Sequence, residues 1–196
     1  MKMVYPPGAT PLDPNEIEGL IPNIGLQAEL NAREEDNILK ARRWALSPRN
    51  RALKSGITSP EVLCLLHKQM FEDVWRWSGQ FRRTAKNIGV PWLEIAPALV
   101  NLCEDVKAQL EHQSYPLDEC AARFHHRLVH IHPFANGNGR HARLATDILL
   151  TSLGSQEFSW GEESIKGNLS VRSRYIDALK AADRGDIAPL ITFVRS

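Results

Sequence analysis

Apolar residues recur at helical spacing along most of this chain, and proline, glycine and capping residues punctuate the runs. Asp13-Pro14-Asn15-Glu16 carries a capping side chain, a proline in the first turn and a glutamate three residues after the cap. It predicts a short helix, which Gly19 stops. Gln27 to Ala45 predicts a longer helix, with Leu30, Ile38, Ala41 and Ala45 on one face. Thr58-Ser59-Pro60-Glu61 opens another, with Val62, Leu65, Leu66 and Met70 at helical spacing. Pro97 begins a helix that turns Leu99, Leu102, Val106 and Leu110 inward. Ala121, Phe124, Leu128 and Ile131 carry the next one straight into His132. Leu144 and Ile148 start the helix after that, and Gly154 ends it. Val171, Tyr175, Leu179 and Ala182 predict one more, closed by Gly185, and Ile187, Leu190, Ile191 and Val194 a last. Asn87 to Ile95 breaks the rhythm. It holds Gly89 and Pro91 and ends in β-compatible Trp92, Leu93 and Ile95, which predicts a short β-hairpin flap. The expectation is a mainly α fold with one small extended insertion.

Composition narrows the function classes. The chain has 196 residues, 43% hydrophobic and 24% charged, with a formal net charge of +1. That is the balance of an ordinary globule, with no global electrostatic case for nucleic acid or an anionic membrane. No apolar run approaches the roughly 20 residues needed to span a bilayer, and the first residues lack the apolar core of a signal peptide. Cys64, Cys103 and Cys120 are odd in number and unpaired in spacing, so a reduced, cytoplasmic setting is expected.

The candidate chemistry lies in His132-Pro133-Phe134-Ala135-Asn136-Gly137-Asn138-Gly139-Arg140-His141-Ala142-Arg143. The stretch reads as a helix end, a glycine turn and a new helix N-terminus. Backbone N–H groups at such a start point outward unpaired, and the helix dipole adds partial positive charge, which suits phosphates. Gly137 and Gly139 let the backbone approach them. Arg140 and Arg143 stand three apart on one helix face and can contact phosphate oxygens. Cations are normally favoured at the other end of a helix, so their position here is easier to understand if an anion binds between them. His132 can accept a proton from an attacking hydroxyl at neutral pH. Phe134 reads as an apolar anchor, and the Asn136 amide oxygen as a candidate ligand for a Mg²⁺ that bridges phosphates.

The stretch resembles the signature of the Fic family, His-x-Phe-x-(Asp/Glu)-Gly-Asn-Gly-Arg-x-x-Arg, at seven fixed positions. Leu66 to Phe71 and Val74 to Arg82 are similar to the family's helix leading into its flap, and Tyr175 to Leu190 to its closing helices. With Asn31 to Trp44 included, the chain resembles the "mobile mystery protein B" branch. The resemblance implies a Fic-fold helical bundle over residues 58–196, preceded by a 1–57 segment with a candidate inhibitory helix. It implies transfer of AMP from ATP, with Mg²⁺, to a Tyr, Ser or Thr hydroxyl of a protein substrate. His132 would be the base, Gly137, Asn138 and Gly139 the anion hole, and Arg140 and Arg143 the phosphate contacts. Asn87, Ile88, Gly89, Val90, Trp92 and Ile95 would dock an extended target segment by strand addition. A helix-turn-helix partner protein is implied as well.

Two departures bear on these expectations. Asn136 stands where the family carries Asp or Glu, so metal affinity should be lower. The family's inhibitory pattern, Ser/Thr-x-x-x-Glu-Gly/Asn, is half met by Glu18-Gly19, with Pro14 in the hydroxyl position. Glu18 is thus either an inhibitory partner of Arg143 or an ordinary surface carboxylate. Alternatives to AMP transfer are another nucleotide (UTP or GTP), removal of AMP, or a nucleotide-binding module of a toxin–antitoxin-like pair without turnover. The histidines around His126 and His130 read as packing residues rather than a metal site, because no further cluster completes a tetrahedron. Arg82, Arg83 and Lys86 read as a solvated basic face, or as a reader of an acidic target.

Overall fold

The computed structural model describes residues 10–50, 53, 56–161 and 169–196, the Leu169 side chain excepted. The first nine residues of the expected Pro- and Gly-rich lead-in lie outside them. Among the described residues there are eight α-helices: α1 (Pro14–Ile17), α2 (Gln27–Leu46), α3 (Pro60–Phe71), α4 (Ile95–Glu111), α5 (Leu117–Ile131), α6 (Asn138–Ser152), α7 (Leu169–Asp183) and α8 (Ala188–Val194). One 3-10 turn spans Trp92–Glu94. The helix ends follow local chemistry. The Asp13 N–H donates to the Glu16 carboxylate at 2.7 Å, half of a capping box, and Ser59 caps α3 through the Val62 N–H at 3.3 Å.

α5 and α6 pack side by side, with α4 against α5, while α2 lies on α3 and touches α6. Leu30, Ala41 and Ala45 of α2 share one core with Leu63, Leu66 and Met70 of α3 and with Leu99, Leu102, Phe124, Leu128 and Ile148. Each large apolar side chain buried there contributes about 1.5–3 kcal/mol. The N-terminal segment is thus packed into the same body as the motif helices. In α3 the buried register is Leu63, Leu66, His67 and Met70, and Leu65 is exposed, one step off the expected face. A second cluster joins α7 and α8 to Phe158 and Trp160.

The expected hairpin is not formed. The described residues contain no strand, only isolated antiparallel bridges at Leu20–Trp75 and Phe81–Phe134. Residues 87–90 form a bend, and Ile95 is the fully buried first residue of α4 rather than a docking position. The physical reason is that the bend's polar groups go elsewhere. The Val90 carbonyl accepts from the Arg82 guanidinium at 2.5 Å, and Gly89, at φ +101°, presses on the His132 side chain. A Cβ there would meet His132 Cβ at 2.7 Å, so the bend is moulded onto the histidine instead of onto a partner strand. Ile88 and Trp92 remain exposed.

Candidate active site

His132 follows the last residue of α5 in a left-handed conformation, φ 54° and ψ 59°. For a non-glycine residue that backbone costs about 1–2 kcal/mol. Arg82 holds it with two hydrogen bonds. The His132 carbonyl accepts from Arg82 Nε at 2.7 Å, and the Arg82 N–H donates to the Pro133 carbonyl at 2.9 Å. Arg82 is buried, and its remaining nitrogens donate to the carbonyls of Thr84 and Val90. It therefore clamps the bend, the histidine and the loop together, contrary to its reading as a solvated cation. A charged run gave no sign of this, because the acceptors are backbone carbonyls, and the one on His132 lies 50 residues away.

The loop closes on an aromatic stack. Phe134 is fully buried, its ring 3.7 Å from that of His67 and edge-on to His141. Asn138 is also buried, and its amide makes a two-point clamp on Phe134, accepting from N–H at 2.9 Å and donating to C=O at 2.8 Å. Its side chain is therefore a loop brace, and only its backbone can face an anion. Gly137 caps α6 at φ +79°, and the N–H groups of Asn138, Gly139 and Arg140 have, by position, no intrahelical acceptor. Gly137 must be glycine for a second reason: a Cβ would stand 2.4 Å from Phe71 Cζ, and Phe71 is itself buried. Gly137→Ala is expected to destabilise the chain by about 1–3 kcal/mol. A melting temperature equal to wild type would show that the turn can relax.

Sequence expectation and structure part at the arginines. Arg140 donates to Glu34 Oε2 at 2.7 Å, and Glu34 Oε1 accepts from the buried Trp75 Nε1 at 2.7 Å. Arg140 also reaches Asn136 Oδ1 at 3.2 Å and lies over the Phe71 ring. Arg143 sits over Tyr175, which bonds His125 at 2.8 Å. The Glu18–Arg143 pair is not formed. Glu18 is exposed in the turn after α1, and the carboxylate that meets the motif is Glu34, 106 residues from Arg140. Glu34 escaped the sequence reading because α2 offers several similar carboxylates. A cleft of about 250 Å³ opens between α2 and α6, with Ile38, Leu39, Arg42, Arg140, Arg143 and Trp160 along its walls.

Asn136 as it stands does not fit a metal ligand. Its Oδ1 accepts from the Gly137 N–H at 2.6 Å as well as from Arg140, which uses both lone pairs of an amide oxygen. Among the described residues no group of three His, Cys, Asp or Glu side chains is placed to hold an ion. His126 and His130 instead meet Asp183.

Burial sets the histidine chemistry. It pushes His132 down to about 4, an effect that the Val129 carbonyl partly offsets, so the ring is neutral at pH 7. Its Nε2 lies 3.1 Å from the hydroxyl of Thr10, in the N-terminal segment. A neutral imidazole facing a hydroxyl, beside a helix start with free N–H groups and two arginines, can take the proton of an alcohol that attacks a bound phosphate.

Residues 57–150 match the sequence profile of the Fic/DOC family. The protein adenylyltransferase Fic of Drosophila willistoni is 33% identical over 146 residues, 72% of this chain and 28% of that protein. Its counterpart from Drosophila melanogaster is 40% identical over 74 residues, 38% of this chain and 14% of that protein. The chain thus spans under a third of the length of these curated relatives. Among solved structures, the N-terminal Fic domain of a VirB-translocated Bep effector from Bartonella quintana superposes with a TM-score of 0.71 at 19% identity, over 92% of this chain and 91% of that one. The AMPPNP-bound BepC effector of Bartonella tribocorum gives 0.66 at 19% identity, over 92% and 95%. At such identity the likeness is one of fold. The loop, the two helices that flank it and the profile match agree: residues 57–150 are a Fic/DOC family domain.

Proposed function

We propose that the chain is a protein adenylyltransferase that moves AMP from ATP to a Tyr, Ser or Thr hydroxyl of a protein substrate. The observation that carries this reading is the neutral His132 held with Nε2 against a hydroxyl, next to the α6 N-terminus. The curated relatives named as adenylyltransferases support it. In the reaction, the N–H groups of Asn138, Gly139 and Arg140 receive phosphate oxygens, Arg140 and Arg143 offset the charge that builds up, and His132 Nε2 takes the hydroxyl proton. Any Mg²⁺ would be carried in by the triphosphate oxygens rather than held by Asn136, and no step depends on a protein-bound ion. Ile88 in the bend and Trp92 just after it are exposed and would offer a target its apolar contacts. Transfer of label from α-labelled ATP, GTP and UTP to acceptor proteins tests the nucleotide. ATP is expected to label best, and preference for UTP or GTP would reassign the donor.

The α2 segment that supports the finer assignment to the "mobile mystery protein B" branch also supplies the brake. Glu34 occupies Arg140, so an incoming phosphate must displace a carboxylate. Glu34→Gln keeps the acceptor for Trp75 but removes the charge, and a charge-assisted hydrogen bond exceeds a neutral one by roughly 1–1.5 kcal/mol. Transfer by Glu34→Gln should rise about tenfold. An unchanged rate in initial-velocity assays would mean that Glu34 only supports the fold. The spent oxygen of Asn136 favours one further reading, a module that binds nucleotide and a helix-turn-helix partner without turnover. Tight ATP binding with no transfer in Glu34→Gln would select it.

A further inference from the structure

The acceptor side of the site is already filled by this chain's own N-terminal strap, residues 10–16. Thr10 is buried, and its hydroxyl is 3.1 Å from His132 Nε2 across 122 residues of sequence. Beyond it the strap is fastened to the segment that leads into the bend. Lys86 Nζ donates to the Pro11 carbonyl at 3.2 Å, to Asp13 Oδ2 at 2.9 Å and to Glu16 Oε2 at 2.5 Å, so all three ammonium protons are used. The Lys86 side chain is only 3% exposed. Thr84 Oγ1 donates to Asp13 at 2.7 Å, and Trp77 Nε1 to the Glu16 carbonyl at 2.9 Å. A protein substrate would have to lay its hydroxyl-bearing segment along this same line, from the bend to the histidine.

We propose that Thr10 is an acceptor hydroxyl presented in cis, and that residues 10–16 therefore display how an acceptor is read: a hydroxyl at His132 and acidic side chains three and six positions later at Lys86. The inference rests on the transferase reading above. In the step, Thr10 Oγ1 bonds to the α-phosphorus of a nucleoside triphosphate. The bond from that phosphorus to the α–β bridging oxygen breaks, pyrophosphate leaves with the electron pair, and the hydroxyl proton passes to His132 Nε2. The product is a nucleoside monophosphate ester of Thr10. The adduct adds charge and bulk between the strap and the histidine, so it lifts the strap and opens the site to substrates in trans.

The test uses the full chain in the Glu34→Gln background, incubated with ATP and MgCl₂ and read by intact mass and fragment-ion mapping. One added AMP on Thr10 is expected, retained in Thr10→Ser and absent in Thr10→Val. Lys86→Gln, which loosens the strap without touching His132, should reduce the modified fraction severalfold. Transfer from α-labelled ATP to added proteins is measured in parallel with Thr10→Val. If Thr10→Val labels other proteins while the parent chain never carries AMP on Thr10, the transferase reading stands and the cis acceptor is overturned. If neither reaction occurs, both fall together. AMP mapped to another residue of the parent chain also overturns the assignment of Thr10.

Discussion

Replacing His132 with alanine should lower AMP transfer by about 10²–10⁴-fold, the usual loss when a positioned general base is removed. ATP binding should stay within a few-fold of the parent, because the phosphate contacts come from the α6 N-terminus and the arginines, not from the ring. The pattern distinguishes a base from a structural histidine. If the ring mainly held the loop, nucleotide affinity and thermal stability would fall with the rate. The loop has its own supports, however: the Asn138 clamp on Phe134 and the Arg82 bond to the His132 carbonyl do not use the imidazole. Burial keeps the ring near pKa 4, so the base form is present from pH 5 upward. The rate of a site still covered by the strap should therefore show no histidine limb between pH 5 and 8. A rate that halves near pH 6.5 would mean that the working histidine is solvated.

The second large effect is on stability. Burial depresses His125 to about 3 and His132 and His141 to about 4, and lowers His67 as well. The unfolded chain takes up protons near pH 6.5 that the folded chain refuses until pH 3–4. Unfolding thus binds protons in that window, and stability must fall as pH falls below about 6.5. By pH 5 His125, His132 and His141 each cost up to about 2 kcal/mol. Asp147 opposes them. Burial raises it to about 6, so it binds its proton in the folded state first and returns about 1 kcal/mol by pH 5. The net loss is several kcal/mol, against a typical total of about 5–15. The melting temperature should drop by on the order of 10 °C between pH 7 and pH 5. A flat profile would show that these histidines are open to solvent.

What the sequence disclosed and what it hid divide along the range of the interactions. α5 and α6 were legible because the steps through Ala121, Phe124, Leu128 and Ile131 and the glycine turn are local signals. The role of Phe134 as an anchor was legible for the same reason. The bend at residues 87–90 was not, since β-compatible residues predict a strand only where a partner strand exists. Here Arg82 takes the carbonyl and His132 takes the space beside Gly89. Lys86 looked like part of a basic surface until Asp13 and Glu16, some 70 residues earlier, covered it. The Glu34–Arg140 and Thr10–His132 contacts span 106 and 122 residues, and no spacing rule reaches that far. Glu18 had the right neighbour in Gly19 but the wrong position in space. Asn136 was expected as a weakened Mg²⁺ ligand from its residue type alone; that its oxygen is already shared between Gly137 and Arg140 is a property of the turn that the residue type does not disclose.

On the proposed reading AMP leaves ATP for a hydroxyl whose proton goes to His132. The first measurement is the intact mass of the Glu34→Gln chain after incubation with ATP and MgCl₂, with and without added proteins, beside the same chain carrying His132→Ala. A gain of one AMP only where His132 is present is the predicted result. AMP on both chains alike, or AMP neither on the chain nor on proteins added to it, would contradict it.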